Sequence, residues 1–405
     1  MNERSAGFST RAVHATGYRP VGQVPTSIPI YQTSTWRHGS SDAFAEALAE
    51  GSEGYAYGRG YGNPTVEAFE SVMASLEGTE AAFAFSSGMS AIHTVCVALG
   101  TARPADGRDG GRTPRIVAST ELYGGTYSLF AKILPSYGIE VELVDPHDIG
   151  AVTSALPGAA MFYCETIANP LCTVADLPAL AAACRRAGVP SVVDSTFASP
   201  YLCNPAELGF DFVVHSATKM IAGHSDVLAG VICCSADDRA LLRAVAIDTG
   251  GAMQPFDAWL CIRGVETLEL RMERHGKSGL ELAELLQSSS KVSAVHYPGL
   301  PTHPHHDLAK RMFKSPSFGG MLSFELDGGL DVAARWCDEL QLGWIGASLG
   351  GTHTLVCHPA STTHRQVPPE ARRAAGLGDG LIRVSTGIEN TADLLEDFSE
   401  ALTSL

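Results

Sequence analysis

From Asn63 onward the chain alternates short β-rich runs with stretches of helical periodicity, and this alternation limits the fold more than any other feature. Six runs of four to six residues read as strands: Arg115–Ser119, Ile139–Val144, Ala160–Cys164, Ser191–Asp194, Phe212–His215 and Gly230–Cys234. Strands separated by helical patterns predict βα units around a mostly parallel sheet. One intervening helix is explicit: after Asp176, the residues Leu177, Leu180, Ala181 and Cys184 share a face, Arg185 and Arg186 fill the last turn and Gly188 closes it. Past about Asp257 a long helical pattern through Glu266–Arg274 opens a second region that runs to Leu405, expected to be a smaller α+β domain. The first sixty or so residues, with Pro20, Pro25 and Pro29, lack sustained periodicity and read as an extended arm. The expected division is therefore an arm at 1–62, a large α/β domain at 63–257 and a C-terminal domain at 258–405. No internal repeat is present. The Gly- and charge-rich stretch 102–114 reads as a solvated loop. The uncharged run Ala81–Ala102 is interrupted by Ser86, Ser87, Gly88, Ser90, His93 and Thr94, so it reads as a buried loop and helix and not as a membrane span.

Charge and cysteine usage remove several classes of function. With 28 Lys+Arg against 44 Asp+Glu, the formal net charge of -16 repels phosphate backbones, so no nucleic-acid partner is expected. The ten cysteines form no C-x-x-C pair, and several (Cys96, Cys164, Cys233, Cys234) sit in apolar runs, which suits reduced thiols in a cytoplasmic protein. The polar N-terminus lacks the apolar segment of a signal peptide. His303, His305 and His306 crowd together as metal ligands do, but the adjacent prolines fit an exposed loop and no cysteine or second acidic cluster completes four ligands, so no metal is assigned.

Four local features carry the chemistry. Lys219 follows the end of a candidate strand, where open α/β sheets present binding residues, and lies among apolar neighbours that favour the neutral amine able to attack a carbonyl. A lysine paired with Asp226, or reaching out to solvent, is the alternative. Asp194 ends the strand Ser191–Asp194; it is either the carboxylate partner of a cationic ring nitrogen or the cap of the next turn. Ser86-Ser87-Gly88-Met89 leads into a helical run whose first N–H groups can hold a phosphate, although such a turn also occurs without one. Tyr123 beside Gly124 and Gly125 offers an aromatic face that a ring can approach closely, or it packs as an ordinary tyrosine. Together, lysine, strand-end carboxylate, phosphate turn and aromatic face are what pyridoxal 5′-phosphate requires.

At this point the chain resembles, nearly end to end, the Cys/Met-metabolism family of pyridoxal-phosphate enzymes: cystathionine γ-lyases and γ-synthases, methionine γ-lyases and homoserine-ester sulfhydrylases. Ser216-Ala-Thr-Lys219 with Gly223-His-Ser-Asp-Val-Leu-Ala-Gly230 is similar to the family's lysine signature. The resemblance implies the aspartate-aminotransferase-like fold (fold type I) and a role for each matching residue. Lys219 would be the Schiff-base lysine and general base, with Ser216 and Thr218 on the phosphate. Gly88 and Met89 would bind phosphate through their backbone. Asp194, followed by Thr196, would face the pyridine nitrogen. Tyr123 would stack on the ring and serve as an acid. Asn169, Ser348 and Arg383 match the substrate-side blocks, with Arg383 on the substrate carboxylate. Tyr57 and Arg59 match a Tyr-x-Arg that reaches the phosphate of a neighbouring subunit, which implies a homo-oligomer, expected as a dimer of dimers. Three positions depart from the family pattern. Asn63 lies one residue later than usual after Tyr57-Gly-Arg59, Gly125 stands where methionine γ-lyases commonly carry Cys, and His353 stands where cystathionine enzymes commonly carry Glu. The implied reaction is γ-elimination from an amino-acid substrate containing sulfur, methionine first, giving methanethiol, ammonia and 2-oxobutanoate. Cystathionine cleavage or γ-replacement on a homoserine ester are the alternatives within the family, and a non-catalytic carrier of the cofactor is the alternative outside it.

Overall fold

The computed structural model describes residues 6–18, 25–49, 54–101, 113–314, 316–362, 370 and 376–405. Pro20 of the arm and all but the last two residues of the loop expected at 102–114 lie outside them. A seven-stranded sheet comprises β1 (Ala81–Phe85), β2 (Arg115–Ser119), β3 (Glu140–Val144), β4 (Met161–Glu165), β5 (Ser191–Asp194), β6 (Phe212–His215) and β7 (Gly230–Cys234), in the order β1-β7-β6-β5-β4-β2-β3. From β3 across to β6 neighbouring strands are parallel, and β7 runs antiparallel to both β6 and β1. The six strands read from the alternation are thus all present, within a residue at each end, and the sheet is mostly parallel as expected.

Core packs against both faces. Val193, Val213 and Val231 face one cluster of buried side chains, and Val192, Val214 and Ile232 face the other. Burying a side chain of this size stabilises by about 1.5–3 kcal/mol, so each strand contributes on two sides. Double burial is also why β1 is invisible to a search for alternation. Its sequence Ala-Ala-Phe-Ala-Phe is apolar throughout, and the stretch read as a loop before a helix is a strand, a turn and then the helix Gly88–Thr101. The helix Leu177–Ala187 forms as the sequence requires: Asp176 accepts from the Ala179 N–H at 3.1 Å, Gly188 closes it at φ 64°, and Leu177, Leu180, Ala181 and Cys184 are buried.

A second sheet of five strands, β8 (Val292–His296), β9 (Met321–Leu326), β10 (Trp344–Ile345), β11 (Leu355–Cys357) and β12 (Leu381–Ser385), runs in the order β10-β11-β12-β9-β8 and has its own core around Trp336, Phe324 and Phe398. Two helices, Pro255–Val265 and Leu268–Ser288, replace the single long helix expected after Asp257, with a break at Glu266 and Thr267. The arm is less extended than its composition suggests, since Phe8–His14 and Ser41–Leu48 are helical. Phe8 packs edge-on against Tyr201 at 5.7 Å, and Thr65 donates to the Pro29 carbonyl at 2.9 Å, which ties the arm to the helix Pro64–Glu77. All ten cysteines are buried, and no disulfide joins them.

Candidate active site

Parallel strands β4, β5 and β6 end side by side, so the residues after each of them share one edge of the sheet. Glu165 and Asp194 sit at matched register on β4 and β5, and the segment after β6 turns through Ser216 to Ala222. Within it, Lys219 N–H donates to the Ser216 carbonyl and Gly223 N–H to the Lys219 carbonyl, a single helical turn that presents the lysine side chain. The Lys219 ammonium donates to the Ser348 hydroxyl at 2.9 Å and makes no hydrogen bond to Asp226. Burial, helped by the charge of Arg383, pulls its pKa down to about 8, so the neutral amine is accessible near neutrality.

Ser348 links the lysine to the second sheet. Its carbonyl accepts from one Arg383 nitrogen at 2.9 Å, and another Arg383 nitrogen donates to Asn169 Oδ1 at 3.3 Å. Arg383 is buried at the centre of the sheet, and among the described residues no carboxylate is a hydrogen-bond partner and its Nε has no partner. A planar guanidinium in this state is built to receive a carboxylate. Ser348 is also one of few non-glycine residues here with left-handed backbone, at φ 100°. Such a conformation persists only where the surroundings impose it, and these surroundings are Lys219 on one side and Arg383 on the other.

Asp194 satisfies both readings of the sequence. One carboxylate oxygen accepts from the Thr196 N–H at 2.9 Å and caps the turn, while the other faces the Tyr163 hydroxyl at 3.5 Å. Burial raises its pKa, and no cation pairs with it among the described residues. Burial likewise raises Glu165, whose proximity to Asp194 adds to the effect. Glu165 accepts from the Tyr123 N–H at 2.5 Å and so holds the tyrosine at this edge. The Tyr123 ring is half exposed, and together with the Met89 sulfur it fills the space that a side chain at Gly125 would take.

Gly88 and Met89 open the helix Gly88–Thr101. A Cβ on Gly88 would lie 2.8 Å from the Ser216 Cβ, so only glycine lets the phosphate turn and the lysine turn approach this closely. Thr196 and Thr218 each have protein partners of their own. Thr196 Oγ1 accepts from the Ser216 N–H at 2.8 Å, and Thr218 Oγ1 accepts from the Ala229 N–H at 2.8 Å, so both tie the lysine turn to its neighbours. Tyr57 and Arg59 stand apart. Arg59 donates to the Ile247 carbonyl at 2.5 Å, and with Gln32, Gly250 and Gln254 the two residues line a separate cavity of about 480 Å³. None of their hydrogen bonds reaches Gly88, Ser216 or Lys219.

A family model for Cys/Met metabolism PLP-dependent enzymes matches residues 9–403. The chain belongs to that family. An L-methionine gamma-lyase of Porphyromonas gingivalis is 40% identical over 99% of this chain and 98% of its own length. A cystathionine gamma-lyase of Bacillus subtilis is 39% identical over 96% of this chain and 97% of its own. The crystal structure of metB from Corynebacterium glutamicum superposes with a TM-score of 0.89 at 35% identity, covering all of both chains. The fold is therefore that of the aspartate-aminotransferase-like PLP enzymes, and the cofactor is pyridoxal phosphate. The residues present fit it: a buried carboxylate without a cation suits a protonated ring nitrogen, the Gly88 turn leaves N–H groups for phosphate, and Lys219 supplies an amine of lowered pKa.

The turn at 301–305 exposes Pro301, Thr302 and Pro304 as expected, but its histidines face inward. His303 is buried and accepts from the His305 N–H at 3.2 Å, while His305 accepts from the Val174 N–H at 3.0 Å and stacks on His147 at 4.5 Å. His147 in turn pairs with Glu121 at 3.1 Å, two residues before Tyr123. Sequence reasoning missed these contacts, and it missed Tyr163 and Arg271, because their partners are backbone atoms or residues far away in the chain.

Proposed function

We propose that the chain is a γ-lyase of sulfur amino acids that acts on L-methionine, with methanethiol, ammonia and 2-oxobutanoate as products. The observation that carries this reading is the connected set Lys219, Ser348, Arg383 and Asn169, a base of lowered pKa joined to a buried guanidinium that lacks a carboxylate. Full-length relatives named methionine and cystathionine lyases support it.

Pyridoxal phosphate, when bound, supplies the electron sink for carbanion chemistry. The chain's residues do the rest. Arg383 and Asn169 receive the substrate carboxylate and fix which Cα bond faces Lys219. Lys219, freed by the incoming amine, would take the Cα proton, return it to the conjugated system that pyridoxal phosphate supplies, and, neutral again, take a Cβ proton, because the leaving sulfur is one carbon further out than in β-elimination. Asp194 holds a proton at the ring nitrogen. Tyr123, half exposed at the mouth, donates a proton to the departing thiolate.

Cystathionine is the second reading, and one observation favours it. Asp226 lines the same cavity of about 490 Å³ as Ser348, His353, Trp344 and Leu228, so a carboxylate is present even though position 353 carries His. Against it, position 353, where cystathionine enzymes commonly carry Glu, holds a His stacked on Trp344 at 4.1 Å and so adds no carboxylate to the one on Asp226. Assaying the purified holoenzyme on methionine, cystathionine and O-acetylhomoserine with a thiol decides: 2-oxobutanoate from methionine alone supports the reading, and turnover only with ester plus thiol overturns it. We also propose a homotetramer built as a dimer of dimers in which Tyr57 and Arg59 complete a neighbour's phosphate site, and a cytoplasmic location, supported by ten buried cysteines with no disulfide among them. The proposed organisation is an arm at 1–62, a large part at 63–257 and a C-terminal part at 258–405, with the second division falling inside the helix Pro255–Val265.

A further inference from the structure

Arg271, in the first turn of the helix Leu268–Ser288, is 4% exposed, and no carboxylate among the described residues pairs with it. Its guanidinium instead serves neutral oxygens. One terminal nitrogen donates to the Met220 carbonyl at 2.6 Å, the other to the Ile221 carbonyl at 3.1 Å and the Gly264 carbonyl at 2.6 Å, and Nε donates to Thr267 Oγ1 at 3.2 Å. Met220 and Ile221 directly follow Lys219. Their carbonyls end the single turn that carries the lysine, and no backbone N–H takes them up. Gly264 lies next to the end of the helix Pro255–Val265. One cation therefore joins two chain segments: it takes up the Met220 and Ile221 carbonyls of the lysine turn, and it adds a donor to the Gly264 carbonyl, which also accepts from the Thr267 N–H at 3.2 Å.

A buried cation without a counter-charge is an expensive way to satisfy three carbonyls, and burial lowers even the arginine pKa, to about 10. Its geometry is what a smaller donor lacks: the rigid fork fixes the spacing of three oxygens at once. The surroundings are shaped to the fork. Gly223 has φ +70°, and a Cβ there would lie 1.9 Å from an Arg271 nitrogen. On the other side of the turn, a Cβ on Gly350 would lie 2.8 Å from the Met220 N, so the lysine turn is clamped between Arg271 and the block that carries Ser348.

We propose that Arg271 is a positioning residue for Lys219: by fixing the two carbonyls that follow the lysine, it sets where the turn delivers the amine. This rests on Lys219 being the residue that anchors the cofactor. The full chain is tested as holoenzyme and as apo protein, in the variants Arg271→Met, Arg271→Lys and Thr267→Val, with Lys219→Ala as control. The measurements are the rate at which apo protein captures pyridoxal phosphate, the fraction trapped on the protein by borohydride, kcat, KM and Tm. Loss of the fork is expected to slow capture and kcat by about tenfold or more in Arg271→Met with little change in KM, and Arg271→Lys is expected to recover only part of this. Folded Arg271→Met that captures cofactor and turns over within about twofold of the parent, whatever its Tm, overturns the proposal. Where Arg271→Met does not fold, Thr267→Val decides, since it keeps the cation but removes the hydroxyl that orients Nε. A drop of a few-fold in capture supports the clamp, and unchanged capture overturns it. Covalent trapping that persists in Lys219→Ala instead overturns the assignment of Lys219, which separates the two failures.

Discussion

The Lys219 ammonium donates to Ser348 Oγ at 2.9 Å while Ser348 itself sits at φ 100°, so the lysine is aimed by a residue whose own backbone is held in a rarely adopted conformation. Ser348→Ala keeps the backbone and removes the acceptor. A net hydrogen bond of about 1 kcal/mol corresponds to roughly fivefold in rate, so kcat should fall by about that factor with cofactor still retained. An unchanged kcat would show that the contact is incidental.

Asp194 offers a cleaner separation of binding from chemistry. Asn at this position keeps an oxygen for the Thr196 N–H, the bond that caps the turn, but it cannot hold a proton at a ring nitrogen. Cofactor content of Asp194→Asn should stay near that of the parent while kcat drops by about a hundredfold, equal to ~2.7 kcal/mol. Normal turnover in the variant would reduce Asp194 to a turn cap.

Where the sequence was legible, a residue's role depended on its immediate neighbours. Asp176 and Gly188 bound a helix because capping is local, and Asp194 and Lys219 could be placed at strand ends because the runs before them are short and apolar. Roles fixed by distant partners were not legible. Arg271 acts on carbonyls fifty residues earlier, and nothing in Leu-Arg-Met-Glu points to them. Strand β1 escaped because Ala and Phe buried on two faces leave no period-2 pattern, and His303 escaped because prolines in a turn say nothing of what covers it. Thr196 and Thr218 were named as cofactor contacts from their motifs; the bonds they make to the Ser216 and Ala229 N–H groups depend on a packing that spacing does not encode.

Substrate choice should respond to charge in the cavity lined by Asp226, Ser348, Trp344 and His353. The parent is expected to have a higher kcat/KM for methionine than for cystathionine. His353→Glu breaks the stack on Trp344 and adds an anion for a distal ammonium, so the ratio should shift toward cystathionine by about tenfold, or ~1.4 kcal/mol. A ratio that does not move would place the distal group elsewhere.

The pair His147–Glu121 gives the stability a pH signature. The hydrogen bond to Glu121 raises His147 above its ordinary 6.5 against the effect of burial, with Asp145 also raising it. That contribution is complete below 6.5 and is lost as pH rises through the raised value. Burial pushes Glu121 up, but hydrogen bonds from His147 and Thr173 outweigh it and leave it below 4.5, so its contribution is complete above 4.5 and lost as pH falls through the lowered value. The two overlap between 4.5 and 6.5; the other titratable group against the pair is His305, stacked on His147 and lowered by burial. The pair is partly exposed, so its worth is about 1 kcal/mol or less. The Tm difference between parent and His147→Gln should be largest in that window and shrink as the pH rises above it; a difference that is flat from pH 5 to 9 would remove the ion pair from the account.

The separation of Tyr57 and Arg59 from the Lys219 edge makes the sharpest test of assembly. In one chain they line their own cavity near Gly250 and share no hydrogen bond with Gly88, Ser216 or Lys219. If they act on phosphate, they act on that of a second copy, which requires a closed two-fold pair. Arg59→Ala and Lys219→Ala should each be inactive or nearly so alone, the first also losing cofactor on dialysis because a charge-assisted contact is gone. Co-expressed, the two chains form mixed dimers in which one site carries both defects and the other carries neither. With random pairing about half of all dimers are mixed, so about a quarter of the sites, and of the parent activity, should return. Activity that stays at the level of the parents' mixture, with both chains present in one dimer by mass, would mean that Arg59 serves its own chain.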